Sequence, residues 1–152
     1  MLDAVARRQS RTTHAAPEAV EACALFAEIL ADAIEGRPRS EVLRNRVIAR
    51  AGAITQIAAG SWRGKSRAAV RSSGYVAHSV EAALWCVGRT SSFTEAVLLA
   101  ANLGDDADTT AAITGQLAGA LYGLSAIPAG WVSKLAWRSR IEAVAERLIS
   151  PL

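Results

Sequence analysis

From Thr109 to Ser133 the chain carries no Asp, Glu, Lys or Arg, and Asp105, Asp106 and Asp108 stand immediately before that run. So long an uncharged segment must be covered, by lipid or by the rest of its own domain. Gly115, Gly119 and Gly123 fall four apart, a ladder that resembles a transmembrane packing face. Gln116, three threonines and Pro128 interrupt it, however, and Ala and Gly outnumber Leu, Ile and Val, which makes insertion into a bilayer unfavourable. The expectation is a helix over 107–122, stopped by Gly123, with its uncharged face packed inside a protein and no membrane partner.

The remaining sequence argues for the same kind of packing. At 152 residues the chain is expected to form one domain, 1–152. Its residues are 51% apolar but only 5% aromatic, with alanine carrying much of the apolar share, which favours closely packed helices over sheets. No segment alternates with period two for long enough to need a strand. The fold class is therefore all-α, a compact multi-helix array.

Pro17 stands at a first-turn position, and Val20, Ala24, Ala27, Ala31 and Ile34 recur at helical spacing, predicting a helix over 17–35 before Gly36. Ser40 is placed to cap a second helix whose stripe is Leu43, Val47, Ala51, Ile54 and Ala58, fraying near Gly60. Residues 61–74 read as a surface loop with a short helix over 66–71, its charges solvated. A helix follows from Tyr75, closed by Gly88; Ser92 and Glu95 form a capping box for another, running to Asn102 and Gly104. Pro128 starts a short helix through Ala136, and Ile141, Val144, Ala145 and Leu148 mark a terminal one. The small residues Ala111, Gly115, Gly119 and Gly123 are expected to let a neighbouring helix approach closely.

The net charge of +3 is a mild excess spread over several segments. Arg44, Arg46, Arg50, Arg63, Lys65, Arg67 and Arg71 accompany no nucleic-acid-binding motif, so a solvated basic face is expected rather than a nucleic-acid partner. Cys23 and Cys86 form no CxxC pair and read as small buried side chains in a reducing compartment. The first residues, with an acid at Asp3 and no long apolar core, do not resemble a secretory signal, and a cytoplasmic location is expected. The four tryptophans read as core or interface residues.

Two readings of the aspartates remain open on residue chemistry. In one, Asp105, Asp106 and Asp108 are helix-start residues, one capping free N–H groups and the others facing the positive end of the helix dipole. In the other, Asp106 and Asp108 turn toward one point and the Thr109 hydroxyl adds a neutral oxygen. A set of hard oxygen donors without His or Cys suits Mg²⁺, Mn²⁺ or Ca²⁺, and one carboxylate suffices for a cap while three repel one another.

The second reading gains from a wider resemblance. Thr13-His14 before the proline-started helix, Ser73-Gly74-Tyr75-Val76, Glu81-Ala82-Ala83-Leu84-Trp85, Ser92-Phe93 before Glu95-Ala96-Val97, Asn102 to Thr109, and Ala126-Ile127-Pro128 before Trp131 occur in this order. Together they resemble the C-terminal half of the ADP-ribosylglycohydrolases, a family that includes the enzyme removing ADP-ribose from dinitrogenase reductase.

The resemblance implies an all-α fold with a pair of Mg²⁺ ions, Mn²⁺ in some members, beside a cleft for ADP-ribose. It carries Asp106, Asp108 and Thr109 over as metal ligands, and His14, Ser73, Gly74, Tyr75, Gly104 and Asp105 as substrate-binding residues. His78 stands where many relatives have an acid, and no role is assigned to it. The family pattern also includes a G-D-rich stretch and a T-D-D-T-like cluster, neither found in these 152 residues. The two-ion site is thus expected to be incomplete in this chain. Glycosidic hydrolysis of ADP-ribosylated substrates is expected to need a complementary N-terminal-half chain or self-assembly. The alternative is an inactive helical homo-oligomer or interaction module descended from that family.

Overall fold

Apolar stripes become helices wherever a cap or a proline frames them, in a computed structural model that describes residues 1–47 and 49–149. The last three positions of the expected domain 1–152 lie outside the described residues. Pro17 at the first position starts α2 (Pro17–Ile34), and Gly36, at φ +74°, turns the chain after it. Ser92 Oγ accepts the Glu95 N–H at 3.2 Å to cap α6 (Phe93–Ala101). The Glu95 carboxylate completes the motif on Ser91, whose N–H and hydroxyl it accepts, rather than on Ser92. No strand occurs among the described residues, so the all-α expectation holds.

The core is built around α2, α5 (Val76–Arg89) and α7 (Ala107–Tyr122), with α6 against α7 and α1 (Leu2–Ser10) against α2. Thr110, Thr114, Leu117 and Ala118 form the fully buried stripe of α7, and Leu117 and Ala118 share one apolar cluster with Leu25, Val87 and Ala96. That stripe covers one face of α7 without lipid, whereas Gly123 to Ala126 and Ala129 to Trp131, later in the uncharged run, are exposed. No described helix is long and apolar enough to cross a membrane.

Several sequence expectations are corrected. The stripe from Leu43 to Ala58 does not form one helix: among the described residues of this stretch only α3 (Arg39–Val42) and α4 (Ile54–Ala58) are helical, and Val47 is 90% exposed. The intervening arginines reach back to acids on α2 instead. Arg44 and Arg46 bind Asp32 at 2.7 and 2.6 Å, and Arg50 binds Glu28 at 2.8 Å and Glu21 at 3.5 Å. Helical spacing would rotate these side chains around an axis, whereas in this strap all three meet the acidic row Glu21, Glu28 and Asp32.

The helix from Tyr75 is not closed at Gly88 but continues to Arg89. Gly88 serves packing: a Cβ there would lie 2.4 Å from Trp62 Cζ3. Residues 61–74 contain a single 3-10 turn, Arg67–Ala69. Three of their four cations are engaged: Lys65 with Glu81 at 2.7 Å, Arg67 with the Leu103 carbonyl at 2.6 Å, Arg63 with the Leu43 carbonyl, while Arg71 is exposed as expected.

The Gly115 and Gly119 face does lie against α6, but a Cβ would meet Val97 at 3.8 Å and Phe93 at 3.9 Å, ordinary contacts that alanine would tolerate. The helix expected through Ala136 is the shorter α8 (Ala129–Val132), followed by α9 (Arg138–Ile149). Trp62 and Trp85 are core residues, while Trp131 and Trp137 are exposed.

Candidate functional site

The aspartate motif is set by a reversal and two stitches. Gly104 at φ +84° and Asp105 at φ +51° turn the chain after α6, a conformation glycine adopts freely and aspartate tolerates. Asp106 N–H then donates to the Ser72 carbonyl at 2.7 Å, and Ser72 Oγ donates to Thr110 Oγ1 at 2.8 Å in full burial. The first turn of α7 is thereby tied to the loop 72–74, far away in sequence.

No aspartate side chain caps α7, which corrects the helix-capping reading. The half-buried Asp106 carboxylate instead accepts the Thr109 hydroxyl at 2.8 Å, and its other oxygen lies 3.6 Å from where a Gly74 Cβ would be. A Cβ at position 74 would make only an ordinary contact with this carboxylate, so the loop runs directly beside it.

Asp106 and Thr109 form one wall of a cleft of about 340 Å³. Thr13 and His14, Ala19 and Cys23 from α2, and Gly74, Val76 and Ser79 also line it. His14 is fixed by its backbone, with its N–H on the Ser10 carbonyl and its own carbonyl receiving Ser10 Oγ. Its imidazole Nδ1 lies 3.0 Å from Thr13 Oγ1. The structure thus unites His14, Gly74, Asp106 and Thr109, which are scattered over nearly a hundred positions of sequence.

Other predicted residues lie elsewhere. Asp105, Asp108 and Gly104 are exposed and do not line the cleft. Ser73 Oγ pairs with His78 Nδ1 at 2.7 Å. Tyr75 lines a neighbouring cleft of about 320 Å³ with His78, Lys65 and Glu81. Its hydroxyl donates to Glu18 at 2.5 Å and its ring meets His78 edge-on, centroids 5.0 Å apart.

The carboxylate and hydroxyl oxygens at the start of α7 fit a hard divalent cation in chemical type. Among the described residues, no three His, Cys, Asp or Glu side chains gather as a cage for one.

Sequence reading missed α1, whose end supplies Ser10 to the cleft, and it treated both cysteines as buried. Leu2, Val5 and Ala6 carried a short helical spacing that could have located α1. Cys86 is buried, which pushes its thiol up to about 12, whereas Cys23 is half-buried in the cleft lining.

Comparison with known proteins adds an independent line. The sequence profile described as ADP-ribosylglycohydrolase matches residues 2–152. ADP-ribosylarginine hydrolase Tri1 of Pseudomonas putida (strain GB-1) is 49% identical over 140 residues, 92% of this chain and 38% of that protein. The protein of the same name from Serratia proteamaculans (strain 568) is 47% identical over the same shares. The ADP-ribosyl-dinitrogen reductase glycohydrolase of Rhodospirillum rubrum is 43% identical over 65 residues, 43% of this chain and 22% of that one.

A solved structure titled "ADP-ribosylglycohydrolase-related protein complex" superposes with a TM-score of 0.87 at 40% identity, covering 94% of this chain and 50% of that chain. The chain therefore spans about 38% of the length of the two hydrolases and half of the solved chain.

Proposed function

The chain belongs to the ADP-ribosylglycohydrolase family, and from that premise we propose that it forms one side of a site hydrolysing the glycosidic bond of ADP-ribosylated substrates. The observation that carries this reading is the cleft in which Asp106 and Thr109 face His14 and Gly74. A carboxylate on the wall of a cleft would repel the diphosphate of ADP-ribose unless a cation lies between them.

We assign Asp106, Asp108 and Thr109 as candidate donors to Mg²⁺ or Mn²⁺, with part of each ion's shell coming from groups outside this set. When bound, the ion supplies charge stabilisation at the ribose and a fixed position for water. The chain's own residues then orient the substrate. Gly74 brings the loop backbone beside Asp106, His14 offers a ring nitrogen to polar groups of the ligand, and Ser73 and Tyr75 flank Gly74 in the same loop. Asp105 and Gly104 shape the turn that aims Asp106.

Full activity in this reading requires a complementary half, because the donors in hand cannot fill two octahedral shells. Release of free ADP-ribose from an ADP-ribosylated arginine substrate, measured after mixing this chain with the complementary half of a family member, tests it. Activity that depends on both chains and on Mg²⁺, and that Asp106→Asn abolishes, is expected; activity untouched by Asp106→Asn contradicts the assignment.

The second reading, an inactive helical homo-oligomer, is favoured by one observation. Trp137, Ile141, Leu148 and Ile149 on or next to α9 are all exposed.

A further inference from the structure

Glu18 sits in the first turn of α2, where an acid ordinarily serves only to face the positive end of the helix. Here its two carboxylate oxygens leave the helix altogether. One accepts the Ala53 N–H at 2.8 Å, at the end of the arginine-rich strap, and the other accepts the Tyr75 hydroxyl at 2.5 Å. One side chain thus joins its own helix to two segments 35 and 57 positions away.

The strap is shaped to admit it. Gly52 lies at φ +52°, and a Cβ there would fall 1.7 Å from the Glu18 Oε1 atom, so any other residue would expel the carboxylate.

At the other end, Tyr75 remains 42% exposed, yet its ring is not free to swing. Glu18 holds the hydroxyl, and His78 meets the ring edge-on, itself held by Ser73 Oγ at 2.7 Å. The next residue toward the cleft is Gly74, beside Asp106. An exposed aromatic ring fixed at both ends loses little freedom on contacting a ligand.

We propose that Glu18 is a positioning residue that holds Tyr75, and with it the Ser73-Gly74-Tyr75 loop, in register with the aspartate cleft. Tyr75 lines the neighbouring cleft, and the consequence for ligand binding rests on the proposed ADP-ribose site extending along this loop from Gly74 to Tyr75. The phenol, donating to a carboxylate, is held above its ordinary range, and the carboxylate below its own, in keeping with the contact.

The experiment has two arms. In the first, tyrosine labelled with ¹³C at Cζ is followed by NMR through alkaline pH; the chain has two tyrosines, and Tyr75→Phe assigns the signals. Tyr75 ionises later than free tyrosine in the parent chain, and returns toward the ordinary range in Glu18→Gln and in the shorter Glu18→Asp. An unchanged Tyr75 titration in both variants overturns the inference.

In the second arm, ADP-ribose affinity in Mg²⁺ is measured for the parent, Glu18→Gln, Tyr75→Phe and the double variant. Glu18→Gln weakens binding about two- to tenfold in the parent and has no effect once Tyr75 is Phe. An equal loss in both backgrounds overturns the inference and leaves the reading of the site intact. If Tyr75→Phe alone changes nothing, the reading of Tyr75 as a ligand neighbour fails, and the NMR arm decides the Glu18 contact by itself.

Discussion

Ser72 and Thr110 bury two hydroxyls against each other, and through them the start of α7 is fastened to the loop that carries Gly74. Removing one hydroxyl leaves the other without a partner in a dry environment. Thr110→Val or Ser72→Ala alone should therefore cost about 1–3 kcal/mol in urea unfolding, and the double variant should cost less than the sum of the two.

Two glycines separate at the same scale. Gly88→Ala should destabilise by about 1–3 kcal/mol, because its Cβ would enter the Trp62 ring. Gly119→Ala, with an ordinary 3.9 Å contact, should leave stability unchanged or raise it by about 0.5–1 kcal/mol. The sequence marked Gly88 as a helix end and Gly119 as a rung of the small-residue ladder; the packing role of Gly88 depends on Trp62, 26 residues earlier. Asp106 and Thr109 were legible because the motif is local. The union of His14 with them was not, since it depends on the packing of α1 and α2 beside α7.

Among elements, α2, α5, α6 and α7 could be read from apolar stripes and caps, because for them the local pattern and the tertiary burial agree. The strap between α3 and α4 could not. Its apolar spacing satisfied a helix, but Arg44, Arg46 and Arg50 are claimed by carboxylates 12 to 29 positions earlier, an attraction no window of sequence contains.

The helix α1 is held to α2 by a similar pair, Arg7 with Glu21. The hydrogen bond from Arg7 keeps the Glu21 carboxyl below its usual value of 4.5. A carboxylate depressed in the folded state contributes stability that is complete above the unfolded value and is lost as pH falls through the folded one. Amide exchange in α1 should therefore accelerate below about pH 4.5 relative to α7. Glu21→Gln should make α1 exchange fast throughout and remove most of that pH dependence.

At the scale of the whole molecule, the interior is continuous from α2 to α7, while α8, α9 and the turn between them carry Trp131, Leu135, Trp137, Ile141 and Leu148 exposed. Apolar surface of this kind marks a contact face. In the reading with a complementary half, that face is covered by further family structure; in the homo-oligomer reading, by a second copy. Sedimentation separates them: association of the chain with itself that Ile141→Glu and Leu148→Glu abolish favours the second, and a monomer at all concentrations favours the first.

The central claim is that the cleft between His14 and Asp106 receives ADP-ribose with a divalent ion. Isothermal titration of ADP-ribose into the chain, with and without Mg²⁺, tests it most directly. Heat that requires Mg²⁺ and disappears in Asp106→Asn is the result expected; no heat in either condition, or the same heat in Asp106→Asn, would contradict it.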